Sequence, residues 1–243
     1  MTKPYKDQKT GKKEQVALMF NNIARRYDFL NHFLSLGIDK IWRKKAVNTL
    51  SNLKQKSVLL DIACGTGDLS IEALKLNPEH IIGIDISDEM LKIGTKKVKK
   101  IGASQIISLR NGDAENMVFK DNSFDAITVA FGVRNFEDLS GGLSEIWRVL
   151  KPGGHVVVLE FSKPHLFPVK QIYQLYFNVI LPIIGKIFSK DQTAYSYLPQ
   201  SVNRFPEREH FTKKMEDAGF SPCIYRTLTF GIATIYYARK KEN

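Results

Sequence analysis

The stretch Val58-Leu59-Leu60-Asp61-Ile62-Ala63-Cys64-Gly65-Thr66-Gly67-Asp68 limits the fold of this chain more than any other. An apolar run meets an aspartate, then a series of small residues, then a helix-compatible segment. That pattern reads as a buried strand, a tight loop and a helix N-terminus. Gly65 and Gly67 permit positive φ and let a ligand lie close to the backbone. Two glycines alone do not separate a ligand loop from an ordinary strand-to-helix turn, so their neighbours decide.

Downstream the rhythm repeats. Leu69, Ala73 and Leu76 line a helix that stops before Pro78, and 81–85 is a second buried strand. Ser87 is a good N-cap for a helix over 88–98, with Gly102 as its stop. Strands follow at 106–109, ending in Gly112-Asp113-Ala114, and at 124–130. A helix with Leu139, Leu143, Ile146, Trp147 and Leu150 on one face ends at Lys151-Pro152-Gly153-Gly154, before a fifth strand at 155–161. A helix over 207–218 and two closely spaced strands, 222–227 and 232–238, read as an antiparallel hairpin at the sheet edge. The predicted class is α/β: a doubly wound, seven-stranded, mostly parallel, Rossmann-like sheet. Ligands of such sheets bind beyond the carboxyl ends of the strands, where Asp61, Asp85 and Asp113 all fall.

Two segments lie outside that rhythm. Val16, Phe20, Ile23, Tyr27, Leu30 and Leu34 step by three and four, and Trp42, Ala46, Leu50 and Leu53 continue the pattern. Residues 16–56 are therefore expected as an N-terminal helical cap, behind a mobile basic tail over 1–15. Residues 163–204 are too apolar for a surface loop, with Tyr173, Tyr176, Phe177, Ile184, Ile187 and Phe188 among them, and are expected as a helical insertion. All of 16–243 is read as one domain.

The 243 residues carry 36 Lys and Arg against 25 Asp and Glu, a net charge of +11. That favours anionic partners without choosing among them. Two cysteines give neither a disulfide framework nor a zinc site, and the five scattered histidines lack ligand spacing, so no metal is expected. The charged start has no apolar signal segment, and no apolar run reaches the ~18 residues of a membrane span. A cytoplasmic location fits.

Asp85 stands at the end of the second strand, where a carboxylate can accept both hydroxyls of a ribose, with Ile86 beside it. The third glycine of a dinucleotide fingerprint is missing. Asp61 and Asp68 would repel a pyrophosphate but suit a cationic ligand. S-adenosyl-L-methionine is such a ligand, with an ammonium, a sulfonium and a ribose but no phosphate. Asp113 could accept from an adenine amino group, and Ala114 could offer its backbone N–H to a ring nitrogen.

Longer stretches carry a more specific resemblance. Arg148-Val149-Leu150-Lys151-Pro152-Gly153-Gly154 running to Glu160-Phe161-Ser162, Tyr27-Asp28-Phe29-Leu30-Asn31 with Leu34-Ser35 and Trp42, and Phe131-Gly132-Val133-Arg134-Asn135 resemble the demethylmenaquinone/ubiquinone C-methyltransferase family, of the UbiE/MenG type, within the class I S-adenosylmethionine methyltransferases. The likeness runs from about Val16 to Arg239. Leu30, Asp39, Ala63 and Ala130 depart from the usual methionine, histidine, glycine and serine. The resemblance implies methylation of a ring carbon of a prenylated hydroquinol. Arg134 is then expected to stabilise a phenolate and Asn135 to orient the ring; Glu160, after the fifth strand, is expected either to accept a proton or merely to hold the loop. Asp61, Gly65, Thr66, Gly67, Asp85, Ile86, Asp113, Ala114 and Tyr27 are expected to bind the cofactor.

The apolar insertion could groove a prenyl tail, extend the core or face a second copy in a homodimer. The charge suggests transient docking on an anionic membrane surface. Other readings are a different lipid-like acceptor, a nucleic-acid methyltransferase or a non-catalytic cofactor-binding protein. Against nucleic acid stand Phe131-Gly132-Val133-Arg134 in place of an Asn-Pro-Pro-Tyr type loop and the absence of a suitably placed cysteine nucleophile.

Overall fold

The structure is a computed structural model that describes residues 2–5, 8–180, 183 and 193–242. Leu181, Ile184, Ile187 and Phe188 of the expected insertion lie outside the described residues, as does the side chain of Asn31.

The five predicted parallel strands form as β1 (Val58–Ile62), β2 (His80–Asp85), β3 (Ile107–Asn111), β4 (Phe124–Ala130) and β5 (Leu150–Phe161). The hairpin is β6 (Phe220–Leu228) with β7 (Ala233–Lys240). The sheet order is β3-β2-β1-β4-β5-β7-β6, parallel except where β7 runs against β5 and β6. Strand order reverses between β1 and β4, which opens the crevice where such sheets bind ligands.

Both faces of the sheet are covered, so its strands are apolar on both sides. Leu60, Ile62, Ile127, Val129, Val156 and Val158 pack on one face with Leu143 and Ile146 of α5 (Leu139–Val149). Leu59, Ala126, Val157 and Leu159 pack on the other with Leu69 and Ala73 of α3 (Asp68–Ala73). Period-two alternation therefore divides each strand between two cores. β5 begins at Leu150, five residues earlier than expected. Its register jumps between the Phe124 and Ala126 pairings, so 151–154 bulge out and pairing resumes at His155.

A third apolar cluster sits over the carboxyl ends. It joins Val16, Met19 and Ile23 of α1 (Lys12–Leu34), Met90 of α4 (Asp88–Lys100), Tyr173 of α6 (Val169–Leu175) and Tyr197 of α7 (Thr193–Arg204). The cap also includes α2 (Ile38–Asn48), and α8 (Glu209–Asp217) packs under β6.

The boundary drawn at residue 15 needs correcting. α1 starts at Lys12, and Lys12 and Gln15 are buried. The Lys12 ammonium donates to the carbonyl of Phe136 at 2.5 Å and to that of Arg134 at 3.3 Å. Burial lowers its pKa to about 8. Gln15 takes the backbone N–H of Tyr5 and gives to the carbonyls of Gln8 and Thr10. Polar side chains tie this lysine-rich segment to the body.

α4 reaches the glycine loop closely because Gly94 lacks a side chain. A Cβ there would sit 3.0 Å from the backbone carbon and oxygen of Thr66 and 2.6 Å from Leu109 Cδ1. Gly94→Ala is expected to destabilise the protein by about 1–3 kcal/mol, the usual range for overpacking. Urea unfolding checks this; an unchanged midpoint would contradict it.

Candidate functional site

The loop after β1 turns on positive φ at Ala63 (52°), Gly65 (55°) and Gly67 (80°). At Ala63 the conformation costs an L residue roughly 1–2 kcal/mol. A Cβ on Gly65 would meet no protein atom within 4 Å, so that backbone faces open space. Asp85, at the end of β2, fixes the loop from the side. Its Oδ2 accepts the Gly65 N–H at 2.8 Å, and its Oδ1 accepts the Ser87 N–H at 2.8 Å. Burial raises its pKa against those two hydrogen bonds.

These groups edge a cavity. Gly65, Asp85, Ile86, Asp113, Ala114, Tyr27 and Asn135 all line it, so the sequence expectation is brought together at seven positions. Lys13, Phe20, Met90 and Glu115 also line it and were missed. Lys13 was findable: Lys13, Val16, Phe20 and Tyr27 continue one helical stripe backwards by three residues. Its ammonium lies 2.7 Å from Asp113 Oδ2 and 3.3 Å from Glu115 Oε2. Burial would lower its pKa, but those contacts raise it overall.

Four expected residues sit elsewhere. Asp61 faces under the loop and lines neither cavity, because both of its oxygens are taken: Ser70 Oγ donates at 2.5 Å and Thr128 Oγ1 at 3.0 Å. The Thr66 hydroxyl donates to Asp28 Oδ1 on α1 at 2.6 Å instead of facing the cavity. Gly67 precedes α3 as its N-cap and is not on the cavity wall. Glu160 has no exposed surface and lines neither cavity. It accepts from Arg134 Nη1 at 2.8 Å and from the Phe161 N–H at 2.8 Å, so it holds the arginine and is out of reach of a substrate proton. Burial nonetheless leaves its pKa raised, against the pull of Arg134.

Arg134 lines a second, wider cavity, whose walls are mostly apolar. Phe20, Tyr27 and Phe131 border both cavities. The Arg134 guanidinium also donates to the Phe131 carbonyl and stands 5.4 Å over the Phe161 ring. Its neighbour Asn135 lines the first cavity, so the pair Arg134-Asn135 spans the seam between the two spaces. Phe131 and Phe161 lie 4.5 Å apart, and Trp42 meets each at 6.2 Å.

The cap is fastened above the loop by charge. Lys97 binds Asp28 of α1 at 2.9 Å and also Asp68 of α3. Asp39, which replaces the family's usual histidine, accepts from Ser35 at 2.6 Å and from Arg43 at 2.5 Å, with His32 at 2.8 Å.

Over residues 7–240 the chain matches the ubiE/COQ5 methyltransferase family. It belongs to that family. It is 52% identical over 240 residues to the demethylmenaquinone methyltransferase of Bacteroides fragilis, covering 98% of this chain and 97% of that one. It is 46% identical over 233 residues to the ubiquinone/menaquinone biosynthesis C-methyltransferase UbiE of Geotalea daltonii, covering 95% and 98%. In fold it is similar to a SAM-dependent methyltransferase of Thermotoga maritima, with TM-score 0.64, 21% identity and coverage of 93% and 99%. This chain is an S-adenosylmethionine-dependent methyltransferase.

The smaller cavity suits that cofactor. Its wall carries three carboxylates, Asp85, Asp113 and Glu115, against one lysine, Lys13, an acceptor set for a cationic nucleoside without phosphate. The buried Asn135 Oδ1 has no partner among the described residues, leaving an acceptor for a ligand N–H.

Asp61 makes a separate, pH-dependent contribution. Burial raises its pKa from 3.8 to about 6 despite the Ser70 and Thr128 bonds. The folded chain then binds a proton that the unfolded chain releases, so stability falls as pH rises through that window and is flat above it. Asp61→Asn, which does not titrate, is expected to lose about 2 kcal/mol less than the parent between about pH 4 and about pH 8. Urea unfolding at both pH values measures this; equal losses would be the contrary result.

Proposed function

We propose that this methyltransferase of quinone biosynthesis acts on a ring carbon of a prenylated hydroquinol, with demethylmenaquinol as the acceptor. The observation that carries the reading is the pair of adjoining cavities. A compact, acidic one suits the cofactor, and a large apolar one, with Arg134 at the seam, suits an aromatic ring and its tail. The more similar relative named above, from Bacteroides fragilis, is called a demethylmenaquinone methyltransferase, which favours a naphthoquinol. The name of the Geotalea relative keeps a benzoquinol as the second reading.

S-adenosylmethionine, when bound, supplies an electrophilic methyl group on a sulfonium. Asp85 would take the ribose hydroxyls and Asp113 the adenine amino group, with Ala114 N–H at the ring and Ile86 and Tyr27 as walls. With the cofactor bound, the acceptor ring carbon would give its electron pair to the methyl carbon as the carbon–sulfur bond breaks toward sulfur; the ring C–H proton would then return to the phenolate oxygen, and the proton shed in forming that phenolate would go to solvent. A phenolate next to that carbon pushes electron density into the ring. The Arg134 guanidinium stabilises the phenolate oxygen in a site shielded from water. Asn135 and the aromatic walls orient the ring, and orientation of this kind can reach effective molarities of order 10⁵–10⁸ M. Glu160 acts through Arg134 as a positioning residue.

The test incubates the protein with methyl-labelled S-adenosylmethionine and reduced demethylmenaquinone, a demethoxyquinol, or tRNA. Label is expected in the naphthoquinol and at most weakly in the benzoquinol. Label in tRNA alone would overturn the proposal.

The wide cavity opens near an apolar rim. Leu36 is 85% exposed, Phe167 82% and Phe230 72%, and Ile172 is exposed beside them in sequence to Phe167. No helix among the described residues is long and apolar enough to cross a membrane. With a net charge of +11, this rim fits transient docking on the anionic cytoplasmic face of a bilayer, where a prenyl tail would be found. Flotation with anionic liposomes is expected at low salt and to weaken at high salt. No binding at either would exclude docking.

A further inference from the structure

The wide cavity contains two polar groups that the mechanism above leaves unused. Tyr173 of α6 and Tyr197 of α7 both line it, at 9% and 3% exposure. Their hydroxyl oxygens are buried and have no hydrogen-bond partner among the described residues. The adjacent Arg134 Nε is in the same condition. A buried hydroxyl that pairs with nothing has surrendered water without compensation, and native structures retain few such groups without a reason.

Nearby hydroxyls are satisfied. Tyr236 accepts the Arg208 N–H at 2.7 Å, and Ser162 and Thr234 pair at 2.8 Å in the buried interior. The orphans belong to the cavity wall and answer to the same charges: Arg134 favours and Glu160 opposes ionisation of both phenols. Burial is the larger influence and pushes Tyr197 up to about 12, with Tyr173 raised as well. Both are hydrogen-bond donors at neutral pH.

The surroundings favour a flat ring. Tyr173 stacks on Phe177 at 4.1 Å, Phe177 meets Phe161 at 6.3 Å, and Phe161 leads to Phe131 at the seam. From there the wall runs out through Ile172 to the exposed Leu36, a route for a tail.

We propose that Tyr173 and Tyr197 are acceptor-binding residues whose hydroxyls, with Arg134 Nε, donate hydrogen bonds to the ring oxygens of the acceptor and so select an oxygenated aromatic ring over a plain hydrocarbon. The proposal rests on the quinol reading of the site.

The test compares wild type, Tyr173→Phe, Tyr197→Phe and the double variant, each of which keeps the ring and its packing. Two acceptors are used: a reduced short-chain demethylmenaquinol and the corresponding prenylated naphthol lacking one ring oxygen. With the quinol, KM is expected to rise about tenfold for each hydroxyl removed, with S-adenosylmethionine affinity by calorimetry unchanged. With the naphthol the rise is expected to shrink, because a partner is already gone. An unchanged quinol KM in the double variant of an active enzyme would overturn the proposal alone. An equal loss of cofactor affinity would overturn it too, assigning the phenols to packing. A wild-type protein inactive on every quinol would instead overturn the functional reading on which the proposal depends.

Discussion

The buried ion pair between Arg134 and Glu160 governs the arrangement of everything at the site. Glu160 stands at the carboxyl end of β5 with no exposed surface, and its partner is 2.8 Å away. Removing two charges from water costs several kcal/mol for each ion, so such a pair persists only where further hydrogen bonds support it. Here the Phe161 N–H supports the carboxylate, and the Phe131 carbonyl supports the guanidinium. Phe131 and Phe161 thereby lie against each other, 4.5 Å apart, with the guanidinium 5.4 Å over Phe161. The ion pair aims that charge at the seam between the two cavities.

The two sides of the site have different origins in the chain. The smaller cavity is assembled from the ends of β1, β2, β3 and β4, which the alternation of strands and helices puts in place, and is closed by Lys13, Val16, Phe20 and Tyr27 of α1. The acceptor side is built from what lies outside that alternation: α1 and α2 in front, α6 and α7 behind. A single sheet provides the chemistry of transfer, and the added helices provide the shape that receives an acceptor.

Much of this was legible in the sequence because it depends on local pattern. Apolar runs punctuated by glycine and proline marked the strands, and carboxylates at strand ends pointed to the smaller cavity, which Asp85 and Asp113 line. What escaped depends on partners distant along the chain. Asp61 looked like a ligand group from its place beside the glycines. Ser70 and Thr128, one of them on a neighbouring strand, consume both of its oxygens. Glu160 looked like a base until Arg134, 26 residues earlier, proved to occupy it. The basic start looked unstructured because composition does not reveal that a lysine can satisfy two loop carbonyls. Lysine 13 was the exception, since its helical spacing from Val16 and Phe20 was already visible.

Helix α1 presents Val16 to the cofactor cavity, Met19 and Ile23 to the acceptor cavity, and Phe20 and Tyr27 to both. One element is thus a wall of two binding sites. Whatever free energy the first ligand spends in steadying that helix need not be spent by the second. Linkage makes this reciprocal: the factor by which bound cofactor tightens the acceptor is the factor by which bound acceptor tightens the cofactor.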